Sequence, residues 1–397
     1  ACVNELISAA PGADKQDYVA LNRSGMSVTI SALSRLAAIC ETISSVRDVQ
    51  SERFRLSVKI RRSGALLGLA IGKASERSYM RYSPVRRFPQ LYIGRNSSDD
   101  LLSHLWSSLQ GAAVVSATLY LQTSAGPSSK FMAGLLCIPS FKAASFAPIH
   151  ARWSTSSVQG VWLPQASPDW LMPPSMSSHR ADKRTPEEQS AREAIWHADV
   201  ANAVRRIWRD AAGGVVVLCT SYNTVAAVAA MLLKDDPDGL DLKLLSASKN
   251  VPLRAQVQKF LQLSSTGVRP LWLAVGAAWT GVDIGGHAPW AELFGEEVPA
   301  AQDNVLTDLV IPRLPFGTNQ SLTHLWRVRN RPGVPWDLLD AAFRFKQALG
   351  RLVRRAGLPA NRRIFVLDGR LSDPLQAARL APFSNHLLRY PKKTFVR

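Results

Sequence analysis

Acidic residues are scarce in this sequence relative to basic ones. Its 397 residues include 48 lysines and arginines but 30 aspartates and glutamates, which gives a formal net charge of +18. An excess of this size favours a polyanionic partner, nucleic acid first and an anionic membrane surface second. The alternative explanation of the charge is general solubility.

Long hydrophobic runs are also missing. No apolar run reaches the ~18 residues that a membrane-spanning helix needs, so we expect a soluble protein without membrane contact. Hydrophobic residues make up 46% of the chain and charged residues 20%, a composition that can bury a core and excludes a largely disordered chain. The chain begins at Ala1 without a signal-peptide pattern, and we expect it to belong to a longer protein.

Cysteine occurs four times, at Cys2, Cys40, Cys137 and Cys219, and no two cysteines are close in sequence. This spacing excludes a CxxC-type metal site, and the seven scattered histidines show no ligand spacing, so we predict no metal site. Cys137 and Cys219 lie in apolar runs and are predicted to be buried thiols. A reducing, cytoplasmic location fits this cysteine usage.

A phosphate-binding loop is absent as well. Gly72-Lys73-Ala74 looks like the end of such a loop, but the first glycine of GxxxxGK[ST] is missing and Ala74 lacks the hydroxyl that binds Mg²⁺. No acidic box of the DEAH type occurs anywhere in the chain.

Short apolar strands alternate with helices from Pro186 onward, which predicts an α/β fold with a parallel sheet covered by helices on both faces. The predicted strands are residues 215–219, 242–245, 270–275, 309–314 and 364–367, and the predicted helices are residues 187–212, 223–233, 252–263 and 336–356. Ligands of such sheets bind at the loops that leave the carboxyl ends of the strands.

The first part of the chain has a weaker pattern. Apolar residues at helical spacing predict a helix over residues 28–46. Strands are predicted at 88–94 and 112–115, with a helix at 101–109 between them. Residues 152–187 are rich in Ser, Pro and Trp, and we interpret them as an extended connection between domains.

Basic residues concentrate at the C-terminal end. Residues 341–397 contain thirteen basic residues and two acidic ones, Asp368 and Asp373. Within this region, Gln347, Arg351 and Arg354 are spaced four and three apart, which places them on one helix face, and Gly350 allows close approach. Two arginines on one face can clamp a polyphosphate and stabilise charge on a γ-phosphoryl group. A solvated basic helix is an equally good interpretation of this motif alone.

Six segments together resemble the DinG/XPD-like branch of superfamily 2 DNA helicases, in the family's order over residues 80–375. They are Ser116-Ala117-Thr118-Leu119 (motif III), Gly213 to Tyr222 (motif IV, with Cys219 where Phe is usual), Trp279 to Gly286 (motif V), Ile311 to Phe316, Gln347 to Arg354 (motif VI) and Leu367-Asp368-Gly369-Arg370.

The resemblance implies two RecA-like motor domains with ATP between them and 5′-to-3′ translocation on single-stranded DNA. It implies a helical arch-like insertion at residues 1–83, the remainder of the first motor at 84–150 and the second motor at 151–397. The phosphate-binding loop and the DEAH box precede motif III in this family. We therefore expect ATP and Mg²⁺ to be held mainly by residues outside this chain, which should not hydrolyse ATP alone. The family's iron–sulfur domain also lies upstream of this chain, so its presence is open.

The roles that the resemblance implies fall into two groups. Gln347, Arg351 and Arg354 would contact the ATP phosphates, and Gly281 and Asp283 would line the nucleotide cleft. Residues that would lie on the DNA path are Ser116, Thr118, Thr220, Ser221, Tyr222, Thr280 and Arg313. Trp279 could stack on a base, although we favour core packing.

Three hypotheses of function stay open. The leading one is an ATP-dependent DNA helicase, expected to be a monomer, which serves either an RNA-guided type IV CRISPR complex or housekeeping repair of R-loops. The second is a non-catalytic module that binds single-stranded nucleic acid. The third is an unrelated α/β protein whose charge serves solubility or a protein partner.

Overall fold

The computed structural model describes residues 99–116, 119–139, 153–174, 185–234, 236–281, 288–317 and 333–397, with the short pieces 19–20, 31–32, 34–36, 38–39, 78–82, 89–93, 144, 146–148, 283, 324 and 328. The chain divides into two compact units. The first is Ala1–Leu109 with Thr318–Trp336, and the second is Gln110–Gly317 with Asp337–Arg397. Every site residue predicted above lies in the second unit. The assignment of residues 1–83 to an arch stays a prediction.

The described part of the first unit contains a small antiparallel sheet of three strands, β1 (Val19–Ala20), β2 (Ser78–Tyr82) and β3 (Pro89–Ile93). Helix α1 (Asp99–Ser108) follows. The strand predicted at 88–94 and the helix predicted at 101–109 are thus confirmed to within two residues. Those residues of the predicted helix 28–46 that the structure describes are also helical.

The second unit is built on a parallel sheet of seven strands, in the order β12-β6-β11-β10-β7-β9-β8. The strands are β6 (Val158–Pro164), β7 (Val215–Leu218), β8 (Leu244–Ser246), β9 (Leu271–Ala274), β10 (Asp308–Ile311), β11 (Arg362–Val366) and β12 (Lys392–Phe395). Every residue of β7, β9 and β10 is buried. The predicted parallel sheet is therefore confirmed, since strands buried along both faces read as continuous apolar runs.

Helices cover both faces of this sheet. They include α4 (Pro186–Arg209), α5 (Tyr222–Leu233), α6 (Leu253–Ser265), α8 (Trp336–Leu349) and α9 (Ala381–Leu387), and shorter helices are α2 (Lys130–Leu135), α3 (Trp153–Ser156) and α7 (Ala288–Phe294). Along β7, Val215 and Val217 join one hydrophobic cluster with residues of α4 and α5. Val216 and Leu218 join a second cluster with residues of α6, α8 and α9. This alternation is the period of two that a strand imposes on its side chains.

The helix predicted over residues 187–212 is α4, which stops at Arg209, before the pair Gly213-Gly214. The two glycines allow the start of β7 to pack against a neighbouring loop. A Cβ atom on Gly213 would lie 1.8 Å from the carbonyl oxygen of Asn304, and one on Gly214 would lie 2.3 Å from that of Val305. No side chain can occupy such a space, so glycine is required at both positions for steric reasons.

Two predictions about the sheet and its surroundings are wrong, and two elements were missed. Residues 112–115 form no strand, because the run from 111 to 116 is exposed and has no strand partner. The predicted interdomain connection 152–187 contains β6, which pairs with β11 and β12 inside the sheet. Strand β12 and helix α9 were not predicted. Three of the four residues of β12 are exposed, and its lysines suit the edge of a sheet.

Cys219 is 1% exposed and confirms its prediction, and burial raises the pKa of its thiol to about 12. Cys137 is half-buried, so its predicted burial is confirmed only in part. Cys2 and Cys40 lie outside the described residues. Within the part of the chain that the structure describes, none of the helices has both the length and the apolar character that crossing a bilayer requires.

Candidate functional site

The loops that carry the predicted motifs leave neighbouring strands at the same edge of the sheet. Strands β11, β10, β7 and β9 are adjacent and parallel. Their carboxyl ends lead to Asp368, Arg313, Thr220 and the loop 275–281, respectively. Three strand spacings of about 4.8 Å place these four loops along about 14 Å of one edge. The sheet thus aligns four of the six family-like segments at the place where α/β folds bind ligands.

The loop after β7 carries Thr220, Ser221 and Tyr222. The Ser221 hydroxyl accepts a hydrogen bond from the backbone N–H of Thr224 (3.1 Å) and caps the N-terminus of α5. Tyr222 is 38% exposed, and the Lys249 ammonium lies 5.6 Å from its ring centre. Ser221 therefore has a structural task in the helix cap, while Tyr222 presents an aromatic face beside a cation.

The loop after β9 is a 3₁₀ turn, Gly276–Trp279, followed by exposed Thr280 and Gly281. Gly276 has φ +67°, a conformation that favours glycine. The Trp279 indole N–H donates to the carbonyl oxygen of Cys219 (2.8 Å), and the side chain is 5% exposed. This burial supports the core role of Trp279 and ties the loop after β9 to the end of β7.

The predicted helix over residues 336–356 is too long. Helix α8 ends at Leu349, so Arg351 and Arg354 do not share a helix face with Gln347. Gly350 is the reason, because glycine costs about 1 kcal/mol in a helix relative to alanine. The Arg351 N–H then bonds to the carbonyl oxygen of Ala348, three residues back (2.9 Å), and the chain leaves the helix in a turn.

Both arginines nevertheless meet the loop after β9. The Arg354 Nε lies 3.5 Å from a carboxylate oxygen of Asp283, at side-chain exposures of 35% and 43%. Arg351 is buried, and the pKa of its guanidinium is lowered by burial and by the charge of Arg354, with Asp283 acting in the opposite direction. Two cations and one carboxylate thus share a small volume with net positive charge. Gln347 is half-buried in the last turn of α8.

This cluster fits the phosphates of a nucleotide better than it fits a magnesium ion. Guanidinium groups bind phosphate oxygens through paired hydrogen bonds. Asp283 is the carboxylate in the cluster and is paired with Arg354. The described residues also contain no group of three or more His, Cys, Asp or Glu side chains that could hold a metal ion. A magnesium ion bound with ATP would need carboxylates from elsewhere.

The segments after β10 and β11 are joined by a buried carboxylate. Asp368 is fully buried and accepts hydrogen bonds from the backbone N–H of Leu314 (2.8 Å) and from the side chain of Arg370 (2.9 and 2.6 Å). The Arg313 guanidinium donates to the carbonyl oxygen of Pro174 (2.9 Å) and lies 5.9 Å from the ring centre of Trp196. Burial, assisted by the charge of Arg370, lowers the pKa of Arg313. Arg313 thus has structural contacts, and its place on a DNA path stays a prediction.

The remaining predicted DNA contacts are only partly described. Ser116 is exposed, and its carbonyl oxygen accepts a hydrogen bond from the backbone N–H of Leu119 (3.4 Å). Thr118 lies outside the described residues. The place of these two residues on a DNA path stays a prediction.

Much of the basic C-terminal region pairs with carboxylates inside the protein, which the sequence did not reveal. Arg355 and Arg362 contact Asp303, and Arg363 contacts Asp308 at 2.5 Å. Together with the pairs described above, five of the thirteen basic residues have an internal ion pair. Asp303 and Asp308 are buried and were not singled out, although Asp308 opens an apolar strand, an unusual place for an unpaired acid.

No protein-family model matches this chain, and a search of curated proteins likewise finds no match. Among solved structures, an apo structure of XPD matches with a TM-score of 0.53 and 15% identity, covering 99% of this chain and 68% of that one. A structure of XPD helicase matches with a TM-score of 0.49 and 14% identity, covering 93% of this chain and 64% of that one.

A third solved structure, Xpd4 of S. tokodaii, matches with a TM-score of 0.38 and 12% identity, covering 99% of this chain and 74% of that one. This chain therefore spans about two thirds of the length of the first two structures. At such low identities the likeness concerns the fold, and it agrees with the parallel sheet. The chain has an α/β, RecA-like fold similar to that of the apo XPD structure, built on its seven-stranded parallel sheet.

Proposed function

We propose that this chain forms part of an ATP-dependent DNA helicase that moves 5′ to 3′ along single-stranded DNA. The observation that carries the proposal is the meeting of Asp283, Arg351 and Arg354 at the carboxyl edge of the sheet. These residues belong to the segments that resemble motifs V and VI of the family. Asp283 is 68 positions from Arg351 and 71 positions from Arg354, so the chain between them does not by itself bring them together.

In this proposal the two arginines bind the phosphates of an ATP molecule held mainly by another motor domain. When ATP is bound, its γ-phosphoryl group supplies the reacting centre. Arg354 is exposed enough to leave Asp283 and reach an incoming phosphate, while buried Arg351 holds the local field positive. Guanidinium groups placed this way stabilise the charge that develops on the transferred group. Gln347 and Gly281 complete the wall of the cleft.

The DNA path in this proposal runs along the loops after β10, β7 and β9. Exposed hydroxyl and backbone groups such as those of Thr280 suit contacts to phosphates, which carry no sequence information. Tyr222 offers an aromatic surface for one base, with Lys249 beside it. The direction of movement, the cytoplasmic location and an RNA-guided or repair role rest on the resemblance and belong to the proposal.

Binding of single-stranded DNA is the first test of this function. We expect this chain to bind a labelled oligothymidylate with an affinity that falls about 50-fold between about 50 mM and about 200 mM salt, if about four phosphates are contacted. Fluorescence anisotropy measures this fall, and a parallel assay measures ATP hydrolysis with and without DNA. In a longer form of the protein that includes a phosphate-binding loop, affinity that ATP does not change would favour the non-catalytic module, and no affinity of this chain at low salt would contradict both hypotheses.

Tyr222 provides a sharper test of the DNA path. Replacing Tyr222 by alanine should weaken binding of single-stranded DNA about tenfold, because stacking of one base on an aromatic ring contributes about 1–3 kcal/mol. The matched variant Tyr222→Phe keeps the ring and should bind almost as tightly as the wild type. Equal affinities of the alanine and phenylalanine variants would remove Tyr222 from the path. The same anisotropy assay gives both values.

A further inference from the structure

A cavity of about 530 Å³ lies in the second unit, lined by the hairpin β4–β5 (Leu121–Thr123 and Gly126–Ser128) and by helices α3, α8 and α9. Its volume is typical of sites for small organic molecules, which range over about 300–1,000 Å³. The lining includes Lys346 of α8 and Arg389, just after α9, together with polar Gln122. None of the described side chains that line this cavity is acidic.

The two cationic side chains that line the cavity, Lys346 and Arg389, have no carboxylate beside them among the described residues of the lining. Lys346 is half-buried, and its ammonium donates a hydrogen bond to the carbonyl oxygen of Tyr120. An ammonium has three N–H donors, so two remain for another acceptor. Lys346 and Arg389 line the same cavity, and burial together with the charge of Arg389 lowers the pKa of Lys346 to about 8. The arginines paired with Asp303, Asp308 and Asp368 have carboxylate partners instead.

A buried histidine adds a second, independent observation. His386 lines the cavity and is 7% exposed, and its Nε2 atom has no hydrogen-bond partner among the described residues. Burial and the charges of Lys346 and Arg389 lower the pKa of His386 to about 3, so the imidazole is neutral near pH 7. Because buried polar atoms are rarely left without a partner, this nitrogen is available to a polar atom of a molecule in the cavity.

We propose that this cavity binds a phosphate monoester, with Lys346 and Arg389 contacting the phosphate and His386 contacting a polar group of the ligand. The two cations suit a dianion, and the volume leaves room for a nucleoside attached to the phosphate. The ligand can come from two sources that share this chemistry, a free mononucleotide or the 5′-terminal phosphate of a DNA strand. This site is separate from the Asp283 cluster and does not depend on the proposed helicase activity.

Calorimetric titration of this chain with thymidine 5′-monophosphate tests the proposal, with thymidine as the ligand that lacks the phosphate. The wild type should bind the monophosphate and not thymidine. Lys346→Met and Arg389→Gln should each weaken binding about tenfold or more, since each removes a charge-assisted hydrogen bond. Lys259→Met removes the same charge from an exposed position on α6 and should bind like the wild type.

A loss of fold is separable from a loss of binding. Arg389 is exposed and its guanidinium lies 4.8 Å from the ring centre of Tyr390, a contact that stabilises the fold only weakly at an exposed site, so Arg389→Gln should melt within a few degrees of the wild type, and thermal unfolding of every variant checks this. The proposal is overturned if the wild type fails to bind the monophosphate, if thymidine binds equally well, or if both Lys346→Met and Arg389→Gln retain wild-type affinity. Failure of DNA binding at the Tyr222 loop would not change these results, because the probe is a mononucleotide.

Oligonucleotides with and without a 5′-phosphate distinguish the two sources of ligand. Tighter binding of the phosphorylated strand, lost in Lys346→Met, would identify the strand end as the ligand. If the two strands bind equally tightly while thymidine 5′-monophosphate still binds, the ligand is the free nucleotide.

The pH dependence follows from the groups that face the ligand. Burial lowers the pKa of His386 to about 3, so its imidazole stays neutral between pH 7 and pH 9, and a phosphate monoester, with its second pKa near 6, is already a dianion. Burial and the charge of Arg389 lower the pKa of Lys346 to about 8, so Lys346 loses its charge in this range and affinity for the monophosphate should fall by about tenfold as pH rises from about 7 to about 9. The Lys346→Met variant should show no such fall, and an equal fall in both proteins would contradict the role of Lys346.

Discussion

Replacing Arg354 by alanine should lower the turnover number of ATP hydrolysis about a thousandfold, in any preparation of this protein that hydrolyses ATP. Arg354 stands at the point where the loop after β9 meets the turn after α8, and its guanidinium is 35% exposed. An arginine that stabilises the transition state of phosphoryl transfer acts on the rate more than on binding. The Michaelis constant for ATP should therefore change much less than the turnover number.

The same substitution should leave the fold intact. The ion pair with Asp283 is solvent-exposed on both sides, and such pairs contribute roughly 0–1 kcal/mol to stability. Arg351 is a less informative target, because it is buried and its removal would also leave a cavity. Arg344→Ala is the matched control, since Arg344 is exposed on α8 and its loss removes the same charge.

Steady-state kinetics of wild type, Arg354→Ala and Arg344→Ala decide the matter. Arg344→Ala should hydrolyse ATP within about twofold of the wild type, because it loses a remote surface charge that salt screens. If Arg354→Ala keeps the wild-type turnover number while thermal unfolding is unchanged, Arg354 does not act on the transferred phosphoryl group. If both variants lose activity equally, the effect is one of overall charge.

The sheet could be predicted because its strands are buried on both faces. The runs at β7 and β9 read VVVL and LWLA, and their short length and the flanking Gly213-Gly214 and Pro270 favour strands over buried helix segments. The alternation with helices then determined the parallel arrangement. In a parallel sheet, the loops that follow the strands all lie at the carboxyl edge. The parallel arrangement therefore places Thr220, Thr280 and Arg313, which follow three of the strands, at one edge.

Strands at and near the sheet edge were harder to predict. Strand β12 contains KKTF, whose lysines are typical of an exposed segment, and its identity as a strand depends on pairing with β6. Strand β6 was hidden in a stretch rich in Ser, Pro and Trp. Both strands are defined by long-range partners, and sequence periodicity over a few residues contains no information about such partners.

In the candidate site, too, the local sequence pattern could be predicted, whereas contacts between distant residues could not. Gln347, Arg351 and Arg354 were predicted to share one helix face, but the helix that should hold them ends at Leu349 because of Gly350. The pairing of Arg362 and Arg363 with Asp303 and Asp308 was also invisible, since it joins residues more than fifty positions apart. Counting charges therefore overstated the positive field of residues 341–397.

Replacing Asp368 by alanine should lower the free energy of unfolding of this chain by about 3 kcal/mol or more. Asp368 is fully buried and bonds both to the backbone N–H of Leu314 and to the side chain of Arg370. Its removal leaves a buried N–H without its acceptor and a guanidinium without its counter-ion. Each loss costs more than a typical hydrogen bond contributes, because the polar groups were removed from water on folding. Urea-induced unfolding followed by circular dichroism measures the change.

Asp373→Ala is the matched control, because Asp373 makes a similar local bond without the buried partners. Asp368 and Asp373 both cap a 3₁₀ turn by accepting from the backbone N–H two residues ahead. Asp373 is half-buried and bonds to Leu375 at 2.9 Å, so its loss should cost about 1 kcal/mol, the usual value of a cap. Equal losses in the two variants would mean that the cap alone matters. A larger loss for Asp368→Ala means that this carboxylate holds the loops after β10 and β11 together, and with them the edge at which the motifs align.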